Sequence, residues 1–366
     1  MPSRDRPLEF ALIGHQTTWA QTCRIVQGLR TQDRPPLPDE TIQEIVPWIP
    51  PRPVVRTTFR SVPSGLTVYG VYLDTFITPD EMVGRAWGHA LGKVRDAMRC
   101  ATDLGVRIAA LGGFTSILLE GRQEAPPPGG PAFTTGNSLT AAFIVKGLER
   151  AAVLRGLPLD EATLLIIGAT GDIGSACSRY FAGRTRRLIL SARQPDRLAR
   201  LAAELEALGT TVQVLPVADA LANADAIISV ASLSQPTWDP AVCRPGAIIC
   251  DAGYPKNLRA PLREGAPNLF HGGMGVVRGG WVNESSVLEG VYDFPAPFVV
   301  HGCLLEAVVL AFERRYEAYS CGRGRITPAH LEEIYAMAGR HGIGLAPFFN
   351  HDGLWGALAP AATGAC

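Results

Sequence analysis

The sequence predicts an α/β protein in three parts: an N-terminal α/β domain over 1–130, a central Rossmann-like parallel-sheet domain over 131–295 and a helical C-terminal segment over 296–366. Three observations carry that prediction. From 162 onward short apolar strands alternate with helical segments, the pattern of a parallel sheet with helices on both faces. A glycine triplet follows the first of those strands and opens a helix. The Pro/Gly-rich stretch GRQEAPPPGGPA (121–132) separates this region from what precedes it.

Taken in order, LEFALIG (8–14) reads as a short buried strand and 15–30 as an amphipathic helix. The prolines of PPLPDE (35–40) and VPWIPPRPVV (46–55) make loop or linker. VRTTFRSV and LTVYGVYLDTF alternate as strands do. Over 80–103 apolar groups recur at helical spacing, with Asp80 after Pro79 as the N-cap. VRIAALGGF is a strand closed by a Gly-Gly turn, and FTTGNSLTAAFIVKGLERAAVLRG a helix with Thr135 or Asn137 near its start. The central domain then runs through ATLLIIG, DIGSACSRYFAG, RRLILSA, QPDRLARLAAELEALG, TVQVLP, VADALANA, DAIISVAS and GAIICDAG. A strand-like NLFHGG near 268–273 precedes a remainder that reads as helical.

Composition narrows the function classes. With 47% hydrophobic and 19% charged residues the chain is a soluble globular type, and its 366 residues exceed one ordinary core. Thirty-four basic and 34 acidic side chains cancel, leaving no footprint for nucleic acid or an anionic membrane. The N-terminus, MPSRDRPLEFALIGHQ, lacks the apolar core of a signal peptide. The longest apolar run, FVVHGCLLEAVVLAF (298–312), carries His301 and Glu306 and is shorter than the ~20 residues of a transmembrane span. Eight cysteines, at 23, 100, 177, 243, 250, 303, 321 and 366, form no C-x-x-C pair. This argues against a zinc site or a disulfide framework and fits a cytoplasmic protein.

The stretch LLIIGATGDIGSA (164–176) carries the chemistry. Gly168, Gly171 and Gly174 form G-x-x-G-x-x-G between an apolar strand and a helix, where bare backbone amides and the helix N-terminus suit a pyrophosphate. Gly168, Thr170, Gly171, Asp172, Ile173 and Gly174 are therefore cofactor candidates, with Ser232 further along. The next strand, RRLILSAR, ends without the acid that would hold the ribose hydroxyls of NAD. It has Ser191 and Arg193, with Arg197 following, which suits a 2′-phosphate and makes NADPH the expected cofactor.

The glycine spacing is similar to that of short-chain dehydrogenases, yet their Y-x-x-x-K pair is absent; Tyr254-Pro255-Lys256 has the wrong spacing. A nucleophilic cysteine is another route to carbonyl chemistry. Cys250 lies inside a strand, and Cys177, Cys23 and Cys100 on helical stretches. Cys303 follows Pro295-Ala296-Pro297 and Gly302 near the start of a long helix. A helix beginning near 302 would lower its thiol pKa; one beginning at 298 would not. Glu306, on the same face, is either a polar support or a glutamate reaching solvent. On local grounds Cys303 is as much core filler as nucleophile.

FALIGHQTT (10–18), ALGGFTSIL (110–118), FTTGNSLTAAF (133–143), IIGATGDIGSA (166–176), DAGYPKN (251–257) and CLLEAVVLAFE (303–313) occur in this order. Together they closely resemble the long-chain fatty acyl-[acyl-carrier-protein] reductase family of cyanobacterial alkane biosynthesis, over roughly 10 to 345. The resemblance implies NADPH-dependent reduction of a fatty acyl thioester to the aldehyde through an acyl-cysteine, with Cys303 matching the family's nucleophile. It implies an acyl carrier protein as donor and an aldehyde-deformylating oxygenase as a possible recipient of the product.

Thioester exchange followed by hydride transfer needs one cysteine, one nicotinamide, oxyanion donors and no metal. Candidate donors are amides near Ser232 and the Gly253-Tyr254 turn, or the side chains of Tyr254, Lys256 and Asn257; Tyr254 and Lys256 join Cys303 as catalytic candidates. His15, at the end of the first strand, and His301, beside the thiol, have open roles. Arg314, Arg315, Arg323 and Arg325 are candidates for docking an acidic carrier. HGGMGVVRGGW (271–281), the proline insert and the C-terminal tail depart from the family, which leaves chain length and donor, carrier protein or coenzyme A, open. Two other readings compete: a non-covalent NADP dehydrogenase of a free carbonyl using Tyr254 or Lys256, and a non-enzymatic NADP-binding or carrier-docking module.

Overall fold

A computed structural model of the chain describes residues 6–30, 34–83, 87–119, 129–232, 238–254, 256–258, 268–291 and 294–355. Most of the Pro/Gly break (121–128), Cys366 and the end of the C-terminal tail lie outside the described residues. The first third contains β1 (Phe10–Gly14), α1 (Trp19–Gly28), α2 (Asp39–Ile45), β2 (Arg52–Arg60), β3 (Thr67–Asp74), α3 (Pro79–Val83), α4 (Trp87–Asp103), β4 (Ile108–Leu111), α5 (Phe114–Leu119) and β5 (Ala132–Thr134). The middle contains α6 (Asn137–Arg155), β6 (Thr163–Ile167), α7 (Asp172–Phe181), β7 (Arg187–Ser191), α8 (Pro195–Ala207), β8 (Val212–Val214), α9 (Val217–Ala220), β9 (Ala226–Ser229), β10 (Ile248–Asp251) and β11 (Asn268–His271). The last part contains β12 (Met274–Val277), β13 (Trp281–Asn283), β14 (Val299–His301), α10 (Gly302–Phe312), α11 (Pro328–Arg340), β15 (Ile343–Leu345), β16 (Phe349–Asn350) and β17 (Gly353–Leu354).

Two six-stranded sheets organise these elements. In the first, ordered β13-β2-β3-β1-β4-β5, strands β3, β1, β4 and β5 run parallel, and β2 and β13 are antiparallel at one edge. Every residue of β1 and β4 is buried, so FALIG and IAAL read as continuous apolar runs, as strands covered on both faces do. The second sheet is wholly parallel, ordered β11-β10-β9-β6-β7-β8. Numbered from β6, this is the 3-2-1-4-5-6 order of the Rossmann fold, whose strand order reverses beside the first strand.

Helix α10 lies between the two halves, packed on β1, β4 and α6, while α6 also packs on α7, α11 and β10. Ten of the eleven residues of α10 are buried, and Cys303 is the exception. A helix apolar all round is a core helix. Each of its buried Leu, Val and Phe side chains contributes about 1.5–3 kcal/mol by leaving water.

Several boundaries differ from the sequence expectation, each for a local reason. The helix expected over 15–30 starts at Trp19, because Thr18 is extended and its side chain accepts the Gln21 N–H. The 80–103 helix is α3 and α4. Its cap is Thr78 rather than Asp80: Thr78 Oγ1 accepts from Glu81 N (3.2 Å) and Glu81 Oε2 from Thr78 N (2.8 Å), a reciprocal capping box. The helix read from 133 starts at Asn137, since Ala132–Thr134 pairs with β4. Beyond 274 the chain carries α10 and α11 but also strands of two to four residues, too short to show a period. One of them, β13, returns to the first sheet. Among the described residues no helix is long and apolar enough to cross a membrane.

Candidate active site

The parallel strands of the second sheet end at a glycine loop. Gly168 has φ +85°, and a Cβ there would lie 2.9 Å from the backbone of Val230 and Ala231, at the end of β9. A Cβ on Gly174 would lie 2.2 Å from Gly168 O. Both positions thus require glycine, and the cradle they leave is backbone only, which suits a pyrophosphate above the start of α7. Ser191 is buried at the end of β7, and its carbonyl accepts from Gly168 N (2.8 Å) and Ala169 N (3.2 Å). Thr170 and Ile173 are partly buried in the loop, and Arg193 stands exposed beyond β7. Beside the loop a cavity of about 350 Å³ is lined by Thr170, Ser175, Arg179, Arg197, Arg200 and Arg323, among others.

The Asp172 carboxylate faces protein, accepting from Asn137 Nδ2 (2.9 Å) and Gly324 N (2.8 Å). It therefore ties the glycine loop to the start of α6. The residue before Asn137, Gly136, has φ +70°, and a Cβ there would lie 2.1 Å from Cys303 O. The FTTGN turn thus touches the phosphate loop through one residue and the cysteine through its neighbour.

Cys303 is the second residue of α10, which begins at Gly302 with His301 as its cap. Backbone N–H groups at Gly113, Leu304 and Cys303 itself act to lower the thiol's pKa. Burial outweighs them and pushes the thiol up to about 11, with the Glu306 charge adding to the rise. The expected lowering by the helix terminus is therefore overridden in the free protein.

Glu306 does not reach solvent. It is fully buried, Oε1 accepting from the Thr134 hydroxyl and Oε2 from Leu139 N (2.9 Å). The Ser320 hydroxyl also lies 2.9 Å from Oε2. Burial raises its pKa, and these hydrogen bonds oppose the rise. The side chain joins α10 to β5, to the first turn of α6 and to the 320 loop.

DAGYPKN is shaped by Asp251, fully buried, whose carboxylate accepts from the amides of Gly253 (3.0 Å), Asn257 (2.9 Å) and Leu258 (3.1 Å). Asn257 reaches back to β9, accepting from Ser229 Oγ (2.7 Å) and Ala231 N (3.1 Å) and donating to Ala231 O (2.9 Å). It fixes the backbone just before Ser232, which is itself exposed. Lys256 Nζ donates to Asp251 O (3.1 Å); burial lowers its pKa, and the Asp251 charge opposes this. Tyr254 packs edge-on against His15, ring centroids 5.6 Å apart, with its hydroxyl 3.4 Å from His15 Nε2.

His15 and Tyr254 meet at Gly113 of the ALGGF turn, where a Cβ would lie 3.0 Å from His15 Nε2 and 3.3 Å from Tyr254 Cζ. Burial holds His15 and His301 at about 4, so both are neutral near pH 7; the Lys256 charge contributes to lowering His301. Arg315, a docking candidate, is paired with Glu317 and Glu333. Sequence reasoning missed the Gly113 amide, the acceptor role of His15, and Thr134 and Ser320 as partners of Glu306. The Gly-Gly pair before α5 was the visible signal for the first of these.

No family model matches the chain. It is 33% identical over 343 residues to the long-chain acyl-[acyl-carrier-protein] reductase of Synechococcus elongatus, covering 91% of this chain and 97% of that protein. It is 26% identical over 294 residues to the aminotransferase PigE of a Serratia species, spanning 79% of this chain but 34% of that longer protein. Among solved structures, glutamyl-tRNA reductase from Methanopyrus kandleri is 18% identical at a TM-score of 0.29, covering 52% of this chain and 48% of that one. The iminosuccinate reductase of Paracoccus denitrificans, solved with NAD+, is 26% identical at a TM-score of 0.25, covering 32% and 37%. TM-scores this low leave those two overlaps without bearing on what this chain does.

Proposed function

The chain belongs to the long-chain acyl-[acyl-carrier-protein] reductase family, and on that premise we propose that it reduces a fatty acyl thioester to the aldehyde through an acyl-Cys303 intermediate. One observation carries the covalent reading. In a helix otherwise buried throughout, Cys303 alone is partly exposed, with a turn against its backbone that also touches the phosphate loop. The acyl donor in this reading is an acyl carrier protein, as the relative's name suggests, or coenzyme A.

The glycine cradle fits NADPH: Gly168, Thr170, Gly171, Ile173 and Gly174 would hold the pyrophosphate, with Asp172 contributing its amide because its carboxylate is engaged elsewhere. Ser191, Arg193 and Ser232 would border the ribose and nicotinamide ends. When bound, NADPH supplies the hydride. In the first step sulfur bonds to the acyl carbon and the carbon–sulfur bond to the donor breaks. The Cys303 proton is lost, and the departing thiolate takes one up. After reduction the Cys303–carbon bond breaks with its electron pair returning to sulfur, and aldehyde leaves. In this reading Tyr254, whose hydroxyl lies against His15 Nε2, and Lys256, whose Nζ donates to Asp251 O, are the candidate donors to the carbonyl oxygen.

Intact-mass measurement after incubation with acyl carrier protein thioester, without NADPH, should show one acyl adduct, and peptide mapping should place it on Cys303. Cys303→Ala should lose the adduct and more than about 1,000-fold of the turnover while still binding NADPH. Retained turnover in that variant would favour the non-covalent dehydrogenase.

A further inference from the structure

We propose that Arg323, on the loop between α10 and α11, joins Arg197 and Arg200 of α8 in a clamp on the 2′-phosphate of NADPH. The cofactor site is then completed from outside the Rossmann sheet. This rests on the NADPH reading and names the groups, beyond Arg193, that hold the phosphate distinguishing that cofactor from NADH.

The cavity beside the glycine loop draws its walls from separate parts of the chain: Thr170 from the loop, Arg179 from α7, Arg197, Arg200 and Glu204 from α8, and Arg323 from the 320 loop. Its charges do not cancel, since four arginines line it with one glutamate. That glutamate is already engaged: Arg179 donates to it from Nε (2.6 Å) and from Nη2 (3.0 Å). The positive surplus therefore falls on Arg197, Arg200 and Arg323. A Rossmann site lays the adenosine ribose between the glycine loop and the end of the second strand, and Thr170 fixes the cavity at that place. A phosphate monoester there carries about two negative charges near pH 7, and guanidinium forks match its oxygens. Arg197 is the third residue of α8, in the first turn, where the helix dipole disfavours a cation. An anion held there turns that repulsion into attraction, and Arg200 lies one turn on along the same face.

Arg323 is presented by a loop anchored on both sides of it. Gly324 N donates to Asp172 Oδ1 (2.8 Å), and Gly324 O accepts from Arg179 Nη1 (3.1 Å). Upstream, Ser320 N donates to Thr134 Oγ1 (3.1 Å), and the Ser320 hydroxyl lies 2.9 Å from Glu306 Oε2. Only residues 321–323 lie between these anchors. The loop thus meets the cofactor cavity at one end and α10, the helix of Cys303, at the other. Arg325, two residues beyond, is not part of the cavity lining and supplies a control of equal charge on the same loop.

The test reads binding by the full chain, with no turnover. Isothermal titration calorimetry compares adenosine 2′,5′-bisphosphate with AMP, which differs from it only in lacking the 2′-phosphate. Adenosine 3′,5′-bisphosphate, the nucleotide end of coenzyme A, is the third probe. Arg197→Ala and Arg323→Ala should each weaken the 2′,5′-bisphosphate about tenfold and AMP less than about twofold, the loss of one charged hydrogen-bonding pair. Arg325→Ala should leave both unchanged. Undiminished preference for the 2′,5′-bisphosphate in Arg323→Ala would overturn the proposal, as would an equal loss in Arg325→Ala. Tighter binding of the 3′,5′-bisphosphate would give the cavity to coenzyme A and overturn it too. Wild-type protein that binds the 2′,5′-bisphosphate no better than AMP would instead defeat the NADPH reading itself.

Discussion

The two halves of the crevice solve opposite problems with the same material. On the Rossmann side, glycines at 168 and 174 strip the backbone bare so that a charged ligand can approach amides. On the first-sheet side, backbone N–H groups at 113, 303 and 304 lower the pKa of a side chain of the protein itself. One half is a cradle open to a ligand, and the other surrounds a partly exposed thiol that desolvation pushes up to about 11. The difference teaches that backbone N–H groups stabilise an anion only as far as desolvation permits. The cradle can be filled by an anion from solution, whereas the thiol's charge has to be created in place.

A matched pair of substitutions should break the two halves separately, and it carries the largest effect. Gly136→Ala would set a Cβ 2.1 Å from Cys303 O in a left-handed turn. We expect about a 100-fold loss of acyl-adduct formation with NADPH affinity kept within about threefold. Gly174→Ala, whose Cβ would press on Gly168 O at 2.2 Å, should do the reverse. Fluorescence titration with NADPH should show affinity weakened by about 10- to 100-fold while adduct formation survives. If both variants lose both properties equally, the halves are not separable.

A pH series sharpens the contrast at intermediate scale. The reactive species is the thiolate, and the thiol lies at about 11 in the free protein. Alkylation of Cys303 should therefore rise about tenfold per pH unit from 7 through 10, where an unperturbed thiol would level off near 9–9.5. A plateau below pH 9 would mean that the amides win over burial. The smallest expected effect is at the cradle's rim. Arg193 is exposed, so its contact with a 2′-phosphate is screened by solvent. Arg193→Ala should lower the preference for NADPH over NADH by about fivefold, measured as the ratio of kcat/KM values. No change would move the selectivity to Arg197 and Arg200, which line the adjoining cavity.

How much of this was legible in the sequence follows from how local each part is. The Rossmann half is encoded within one run, strand, glycine loop and helix, so 164–176 announced it and the observed strand order agrees. The other half is assembled from residues 15, 112–114, 134–136, 254 and 303, which no window of sequence brings together. The start of α10 was ambiguous between 298 and 302 because Val299–His301 is as apolar as the helix; its pairing with β12 decides it. Glu306 left two readings open for a similar reason. Its three partners lie 14 to 172 positions away, and only the tertiary arrangement shows a buried carboxylate with donors at both oxygens. T-P-D-E is a capping box that makes Thr78 readable, and the expected cap, Asp80, stands two residues too far along.

Gly136 and Asn137 are consecutive residues, one against the cysteine and the other hydrogen-bonded to the phosphate loop. Consecutive Cα atoms stand about 3.8 Å apart whatever else moves. The seam between the Cys303 backbone and the glycine loop is therefore bridged by a single peptide unit, much as a yoke joins two shafts. The sheets cannot swing apart at this seam without pulling Asn137 off Asp172 or Gly136 off α10.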